Sequence, residues 1–320
     1  MNSITTKKRK HGLTGEVKHS GRLARIIRRD YQLYLLALPA VVFLFIFHYI
    51  PMYGVQIAFK NFVAVKGIWG SPWVGFDHFV RFFNSYQFGN LLKNTVVLSF
   101  YQLLATFPTP ILLALVLNHV KHRRFKSFVQ NVTYAPHFIS VVVMVGLLNL
   151  ILSPSSGFVN TIIKAFGQEP IAFMSEPGWY KHIYVLSAVW QNTGFLSVVY
   201  IAALSSINPE LYEAAKMDGA STWKQILHVD IPGILPTIVT LLILNTGSVM
   251  NLGFQKAFLM QNPLTEQSQE IIATYVYKVG LINSEYSYST AIGLFNTLVN
   301  ITLLLTVNAI SKKVTDTSLW

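Results

Sequence analysis

Residues 208–236 read NPELYEAAKMDGASTWKQILHVDIPGILP, a polar interruption between two long apolar runs. Asn208 is a good helix cap, and Pro209 suits a first helical position, where an N–H would lack a partner anyway. Glu210 and Glu213 fall in the first turn, where negative charge meets the positive end of the helix dipole. Asp218-Gly219 marks a turn that ends this helix. Ser221 can cap a second helix that puts Trp223, Ile226 and Leu227 on one face. Pro232 and Pro236 are expected to end that helix and open the next apolar run. By residue chemistry alone the stretch is either a plain connector or a small, Ala-rich knob for a groove on another protein. In the second case Glu213 would offer a charge to a basic partner.

The composition on either side is that of a membrane protein. Of 320 residues, 52% are hydrophobic and only 12% charged, and the mean hydropathy is +0.45. Soluble domains carry about 25% charged residues, so half that fraction leaves too few charges to cover a water-facing surface. The absence of cysteine excludes disulfides, zinc–thiolate sites and thiol catalysis. Crossing the hydrocarbon core takes about 20 apolar residues at about 1.5 Å each. Six uncharged stretches qualify, and helices are predicted near 33–57, 93–117, 131–152, 183–204, 233–254 and 289–310. The first is too long and too far from the start to be a secretory signal, and no small-residue cleavage site follows it.

Six spans place both termini on one side, and the basic residues choose it. The N-terminal Lys7, Lys8, Arg9, Lys10, Lys18, Arg22, Arg25, Arg28 and Arg29 join Lys121, Arg123, Arg124, Lys126, Lys216, Lys224, Lys312 and Lys313 there. Those are 17 of the 25 Lys and Arg, the excess expected of cytoplasmic loops. The formal charge of +12 therefore reads as a topology signal with contact to anionic lipid, and nucleic acid is not expected as a partner. The expected organisation is a basic cytoplasmic tail over 1–30, then a first span with an aromatic-rich outer segment over 31–90. A transmembrane domain follows over 91–312, with the loop at 208–232 inside it, and a short cytoplasmic tail over 313–320. Phe62, Trp69, Trp73, Phe76, Phe79, Phe82, Phe83 and Tyr86 in the outer segment suit a membrane interface or a docking surface for an external partner. Residues 153–181 are turn-rich. In the polar outer loop 257–288, Ile271, Ile272, Tyr275 and Val279 recur at helical spacing and predict a short amphipathic helix.

Glu213-Ala214-Ala215, Asp218-Gly219-Ala220 and Pro232, lying between the fourth and fifth of six spans, resemble the EAA loop of binding-protein-dependent ABC importer permeases of the sugar-uptake branch. The likeness covers most of residues 90–312 and takes in Asn94-Thr95, Pro136, and Gly157 with Asn160. The Tyr-Glu-Ala-Ala form of the motif and the aromatic segment 60–90 look most like permeases of polysaccharide and alginate importers. The resemblance implies an all-α polytopic membrane protein of the maltose-permease-like fold in the cytoplasmic membrane. It implies a pore shared with a second permease subunit, two ATPase subunits beneath it that bind the ATP and Mg, and an external solute-binding protein that delivers oligosaccharide. Glu213 matches the acidic residue that pairs with a basic ATPase residue, and Gly219 matches the turn glycine. No cofactor, metal site or catalytic residue is implied for this chain.

The resemblance also points to where sugar would touch. Trp190 matches a tryptophan of the span before the loop, with Asn192 and Phe195 following it. After the loop Asn245, Ser248 and Asn251 match to within one residue, so Val249 and Leu252 compete for the same roles. Sugars are held by aromatic faces and by amide or hydroxyl groups, and Asn245, Ser248 and Asn251 recur every third residue on one helix face. Polar groups within a span face the bundle or a wet cavity, so packing between helices is the competing reading. Lys256, beyond the polar face of span five, is the one cation near this set for an acidic sugar; otherwise it and His48 snorkel to the interface.

No G-x-x-x-x-G-K-[ST] occurs, so the chain has no phosphate-binding loop of its own. The alternative is an ion-coupled secondary transporter, for which the spans lack an obvious carboxylate relay.

Overall fold

The computed structural model describes residues 29–263, 265–315 and 318–319. The basic residues from Lys7 to Arg28 lie outside the described residues, as does part of the tail over 313–320. The chain divides into two compact units, Met1–Val55 and Gln56–Trp320. In the first, no described residue is buried.

Helices follow from long apolar runs in which every backbone group can pair internally, the condition lipid imposes. Five among the described residues are long and apolar enough to cross a membrane: α1 Tyr31–Phe59, α3 Phe88–His119, α7 Pro177–Ser205, α9 Thr222–Thr246 and α12 Tyr286–Thr315. The predicted third span is not a sixth of this kind. It is a broken pair, Arg123–Phe138 with Val141–Ile151, bent by 102°. Residues Ala135–Phe138 tighten around Pro136, and Ser140 caps the second arm by accepting from the Val143 N–H at 3.3 Å. We call the arms α4 (Arg123–Tyr134) and α5 (Val141–Ile151). At about 1.5 Å per residue α5 is too short to cross alone.

The expected break at Pro232 is also absent. The loop's second helix runs on as α9, and a single wide turn over Ile226–Asp230 makes this possible. There the Ile231 N–H reaches back five residues to the Ile226 carbonyl. A proline lacks the N–H and crowds the carbonyl four residues back, and widening the turn just before it relieves both problems. The same device occurs in α1, where Phe45–Tyr49 widens and the Ile50 N–H bonds the Phe45 carbonyl just before Pro51.

Within the second unit α7 is central, packed against α3, α4 and α9. α12 packs against α9, the outer helix α2 (Asp77–Phe83) and α11 (Ile272–Ile282). The predicted amphipathic helix is α11: Ile271, Ile272, Tyr275 and Val279 are all buried. The aromatic segment splits in two. Phe82 is buried and Phe83 half-exposed, both edge-on against Phe88 and Phe295, whereas Trp69, Trp73, Phe76 and Tyr86 are mostly exposed.

Buried polar groups fasten loops to spans. The Thr95 hydroxyl accepts from the Ile272 N–H at 2.9 Å, and Asn94 donates to the Gln267 and Glu270 carbonyls at 3.1 Å each. The Asn160 amide meets the Leu152, Ser153 and Ile171 carbonyls and accepts from the Ile171 N–H.

Gly194 sets the closest helix contact: a Cβ there would lie 2.0 Å from the Thr133 carbonyl oxygen on α4. Gly194→Ala must push α7 off α4 and should cost about 1–3 kcal/mol. Gly146→Ala on α5 meets nothing within 4 Å and serves as the control. Thermal unfolding in detergent should show a lowered midpoint for the first variant alone; equal midpoints would remove the close contact.

Candidate functional site

The stretch 208–236 folds largely as its residues dictate. α8, Pro209–Met217, starts on Asn208, whose side-chain oxygen accepts from the Glu210 N–H at 3.0 Å. It stops at Gly219, which holds φ at +73°, a left-handed conformation that side chains with a Cβ resist. The Ala220 N–H then closes on the Ala215 carbonyl at 2.8 Å, and Gly219 on Lys216 at 3.0 Å, the paired bonds of a left-handed helix stop. Ser221 caps the start of α9 through the Lys224 N–H, and the Gln225 amide donates to the Ala220 carbonyl at 3.0 Å.

What holds this knob to the bundle is Asp230, which is fully buried. Its carboxylate accepts from the Tyr212 hydroxyl on α8 at 2.5 Å and from Asn118 on α3 at 3.2 Å. His119, also on α3, closes on it at 2.6 Å. One carboxylate thus joins the knob, the end of α3 and the base of α9. Burial, followed by the Asp230 carboxylate, pushes the Tyr212 phenol up to about 12, so it remains a neutral donor at physiological pH. Asp230 does not stand out in the sequence, because the uncharged run begins one residue later. A lone acid in ILHVDIPGILP was the available signal, since a carboxylate among apolar residues demands partners.

The solvent side of the knob has a different character. Leu211, Met217 and Trp223 are exposed, Met217 at 89%. Glu213, Ala214, Asp218 and Gly219 are exposed beside them, and Ala215 and Ala220 are half-buried. Glu213 and Lys216 also line a groove of about 670 Å³ with Lys121, Tyr212 and Ser221. Apolar side chains clustered in this way mark a contact surface.

The residues expected to meet sugar fall in three places. Trp190 is exposed at the edge of an apolar recess of about 330 Å³ with Met144, Ile151 and Leu186. Asn192 and Phe195 instead hold His137, at the bend between α4 and α5. The His137 ring stacks flat on Phe195 with centroids 4.0 Å apart, and Asn192 lies 3.2 Å from its Nδ1. His137 carries no signal of its own in the sequence beyond its place next to Pro136. Asn245, Ser248 and Asn251 form an exposed line where α9 ends. Asn251 accepts from Asn296 and Asn300 of α12 at 3.0 and 3.1 Å. The competing Val249 and Leu252 are buried. Lys256 stands apart, 7% exposed, with its ammonium on the Tyr184 carbonyl at 2.8 Å and over the Tyr184 ring. Burial lowers it to about 8. Its ammonium is committed to the protein interior.

Residues 95–316 match the model of the family described as binding-protein-dependent transport system inner membrane component. The chain is 42% identical to the polygalacturonan/rhamnogalacturonan transport system permease protein YteP of Bacillus subtilis (strain 168), covering 92% of each. It is 27% identical to the arabinooligosaccharides transport system permease protein AraP of the same organism, over 95% of this chain and 94% of that one. Among solved structures, a chain of a bacterial ABC transporter involved in the import of the acidic polysaccharide alginate superposes with a TM-score of 0.85 at 42% identity. The match covers 92% of this chain and 99% of that one. A chain of the alginate transporter in complex with its alginate pentasaccharide-bound periplasmic protein gives 0.85 at 41%, over 93% and 100%. These likenesses, with the apolar helices, identify a multi-pass membrane protein with an importer permease fold, and the ion-coupled alternative falls.

Removing the Asp230 carboxylate leaves Tyr212, Asn118 and His119 without their acceptor. Asp230→Ala should cost about 3–5 kcal/mol, and Tyr212→Phe about 1.5–3 kcal/mol. In a double-mutant cycle on thermal stability, Tyr212→Phe should add little once Asp230 is Ala. Additive losses would show that the two residues do not act on each other.

Proposed function

This chain belongs to the binding-protein-dependent transport system inner membrane components, and from that premise we propose that it is one of two permease subunits of an ATP-driven importer of carboxylated oligosaccharides. The observation that carries the reading is the knob itself. α8 turns an exposed surface of Leu211, Met217 and Glu213 outward and is held from behind by a buried carboxylate. A loop that only connects two spans has no need of that anchor or of exposed methionine and tryptophan. Its fitting partner is an ATPase subunit with an apolar cleft and a basic residue opposite Glu213.

The end of the bundle bearing α8, Lys121 and Lys216 is cytoplasmic in this reading, because basic residues concentrate there. The opposite end, with the aromatic segment and the loop 257–285, receives the solute-binding protein. The membrane is the cytoplasmic one. The line of Asn245, Ser248 and Asn251, exposed on this chain alone, faces the second permease subunit across the pathway, because lipid would leave such groups unsatisfied. Trp190 offers a flat apolar face to a pyranose ring, and Asn192 and Phe195 with His137 supply a second polar and aromatic contact. The acidic substrate follows from two relatives whose polysaccharides, polygalacturonan and alginate, are polymers of uronic acids.

Glu213→Lys turns an attractive contact with a basic cleft into a repulsive one. The assembled complex should lose co-purifying ATPase and substrate-stimulated hydrolysis, while the chain still inserts in the membrane. Glu213→Gln should fall between the two. An unchanged complex with coupled hydrolysis in the lysine variant would leave Glu213 as a helix-start acid only.

A further inference from the structure

Two grooves open side by side at the end of the bundle away from α8, and they differ in charge. One, of about 600 Å³, is lined by Glu266, Glu270 and Lys278 among neutral residues. Its lysine is spent: Lys278 bonds both carboxylates, with Glu270 at 2.9 Å. Burial works to lower Lys278, yet the two carboxylates outweigh it and hold the ammonium above its ordinary range. The second groove, of about 650 Å³, is lined by Lys93 of α3 and Lys181 of α7 with no carboxylate. Among the described residues neither lysine takes part in an ion pair. The nearest acids in sequence are Glu176, which does not line the groove, and Glu266, which Lys278 holds.

Two cations facing one cavity without a counter-charge repel each other. Both lysines lie in the second turn of long helices, near the end that attracts anions rather than cations. Neither helix start has a side-chain cap. Nothing in the packing requires this: Lys93 is exposed, and a neutral residue would fit. The arrangement is relieved by an anion. Beside Pro177 and Gly178, the rest of the lining carries amides and hydroxyls, from Asn90, Asn94, Thr265, Gln267 and Ser268, suited to sugar hydroxyls.

We propose that the groove between Lys93 and Lys181, at the starting ends of α3 and α7, is an entry site for the carboxylates of an acidic oligosaccharide, separate from the Trp190 and Asn245 contacts. The inference rests on the acidic-oligosaccharide reading given above. A saccharide is favoured over an acidic patch of the binding protein because the feature is concave and lined with hydrogen-bonding groups at the scale of one or two sugar rings. Uronic acids carry one carboxylate per ring, so one chain can bring a carboxylate to each of the two cations lining the groove. The neighbouring groove, with two acids on one lysine, does not attract a second polyanion and leaves the chain of sugars one favoured course.

The test uses the full importer in proteoliposomes with its binding protein, and two probes: a galacturonic acid trisaccharide and its carboxyl-reduced, neutral counterpart. Lys93→Gln with Lys181→Gln should lower uptake of the acidic probe about tenfold or more, equivalent to about 1.4 kcal/mol. Uptake of the neutral probe and its stimulation of ATP hydrolysis should be unchanged. The difference between wild type and double variant on the acidic probe should shrink in high salt, because screening weakens what the lysines contribute. Equal loss for both probes, with weakened binding of the binding protein, would assign the lysines to protein docking and overturn the proposal. Unchanged acidic uptake in the double variant would overturn the groove alone. A wild-type importer that carries only the neutral probe would refute the acidic reading, and the groove with it.

Discussion

Asp230 is the constraint on which the working end of this molecule depends. A fully buried carboxylate is tolerated only with partners, and here they come from two elements, Tyr212 on the knob and Asn118 and His119 on α3, while α9 carries the carboxylate itself. Losing any one partner weakens the hold of the others, so the four groups fix the knob's position against two spans at once. The wide turn at Ile226–Asp230 puts the carboxylate there. Without it Pro232 would break the helix, and α8 would be hinged to the bundle instead of braced against it. Force applied to the exposed face of Leu211, Met217 and Glu213 is then carried into α3 and α9 through short, charge-assisted bonds.

Elsewhere the bundle uses neutral polar groups for the same purpose. Asn94 and Thr95 tie α3 to the outer segment before α11, and Asn160 fastens the turn after α5. Asn300 and Asn251 join α12 to the end of α9. Each is satisfied within the protein, as lipid demands. Asn245, Ser248 and Trp190 are exposed and lie where a second permease subunit and a sugar path are proposed.

Most of the helical layout was legible because apolar length and turn residues are local signals. The cap at Asn208, the stop at Gly219 and the amphipathic α11 all follow from residue type and spacing. The errors arose where backbone geometry absorbs a proline. Pro136 bends a span by 102° while Pro232 leaves one continuous, and the difference is a tight turn against a widened one, which composition does not encode. Side-chain pairing across the bundle was hidden for a different reason. Asp230 and Asn118 are 112 residues apart in sequence, and Lys93 and Lys181 are brought to one groove only by the packing of α3 on α7. Trp190 and Asn192 are close in sequence yet line different surfaces, since two residues turn a helix by about 200°.

The central claim is that α8 and the spans move as one body. The chain contains no cysteine, so Met217→Cys on the knob and Val116→Cys on α3, both exposed sites, can carry spin labels in the native background. Pulsed electron–electron distance measurement on the assembled importer, with and without ATP, tests it directly. The account gives one narrow distance distribution that does not shift between nucleotide states and that broadens when Asp230→Ala is added. A shift of several ångströms on ATP binding in the otherwise native chain would contradict it, because the knob would then be moving independently of α3.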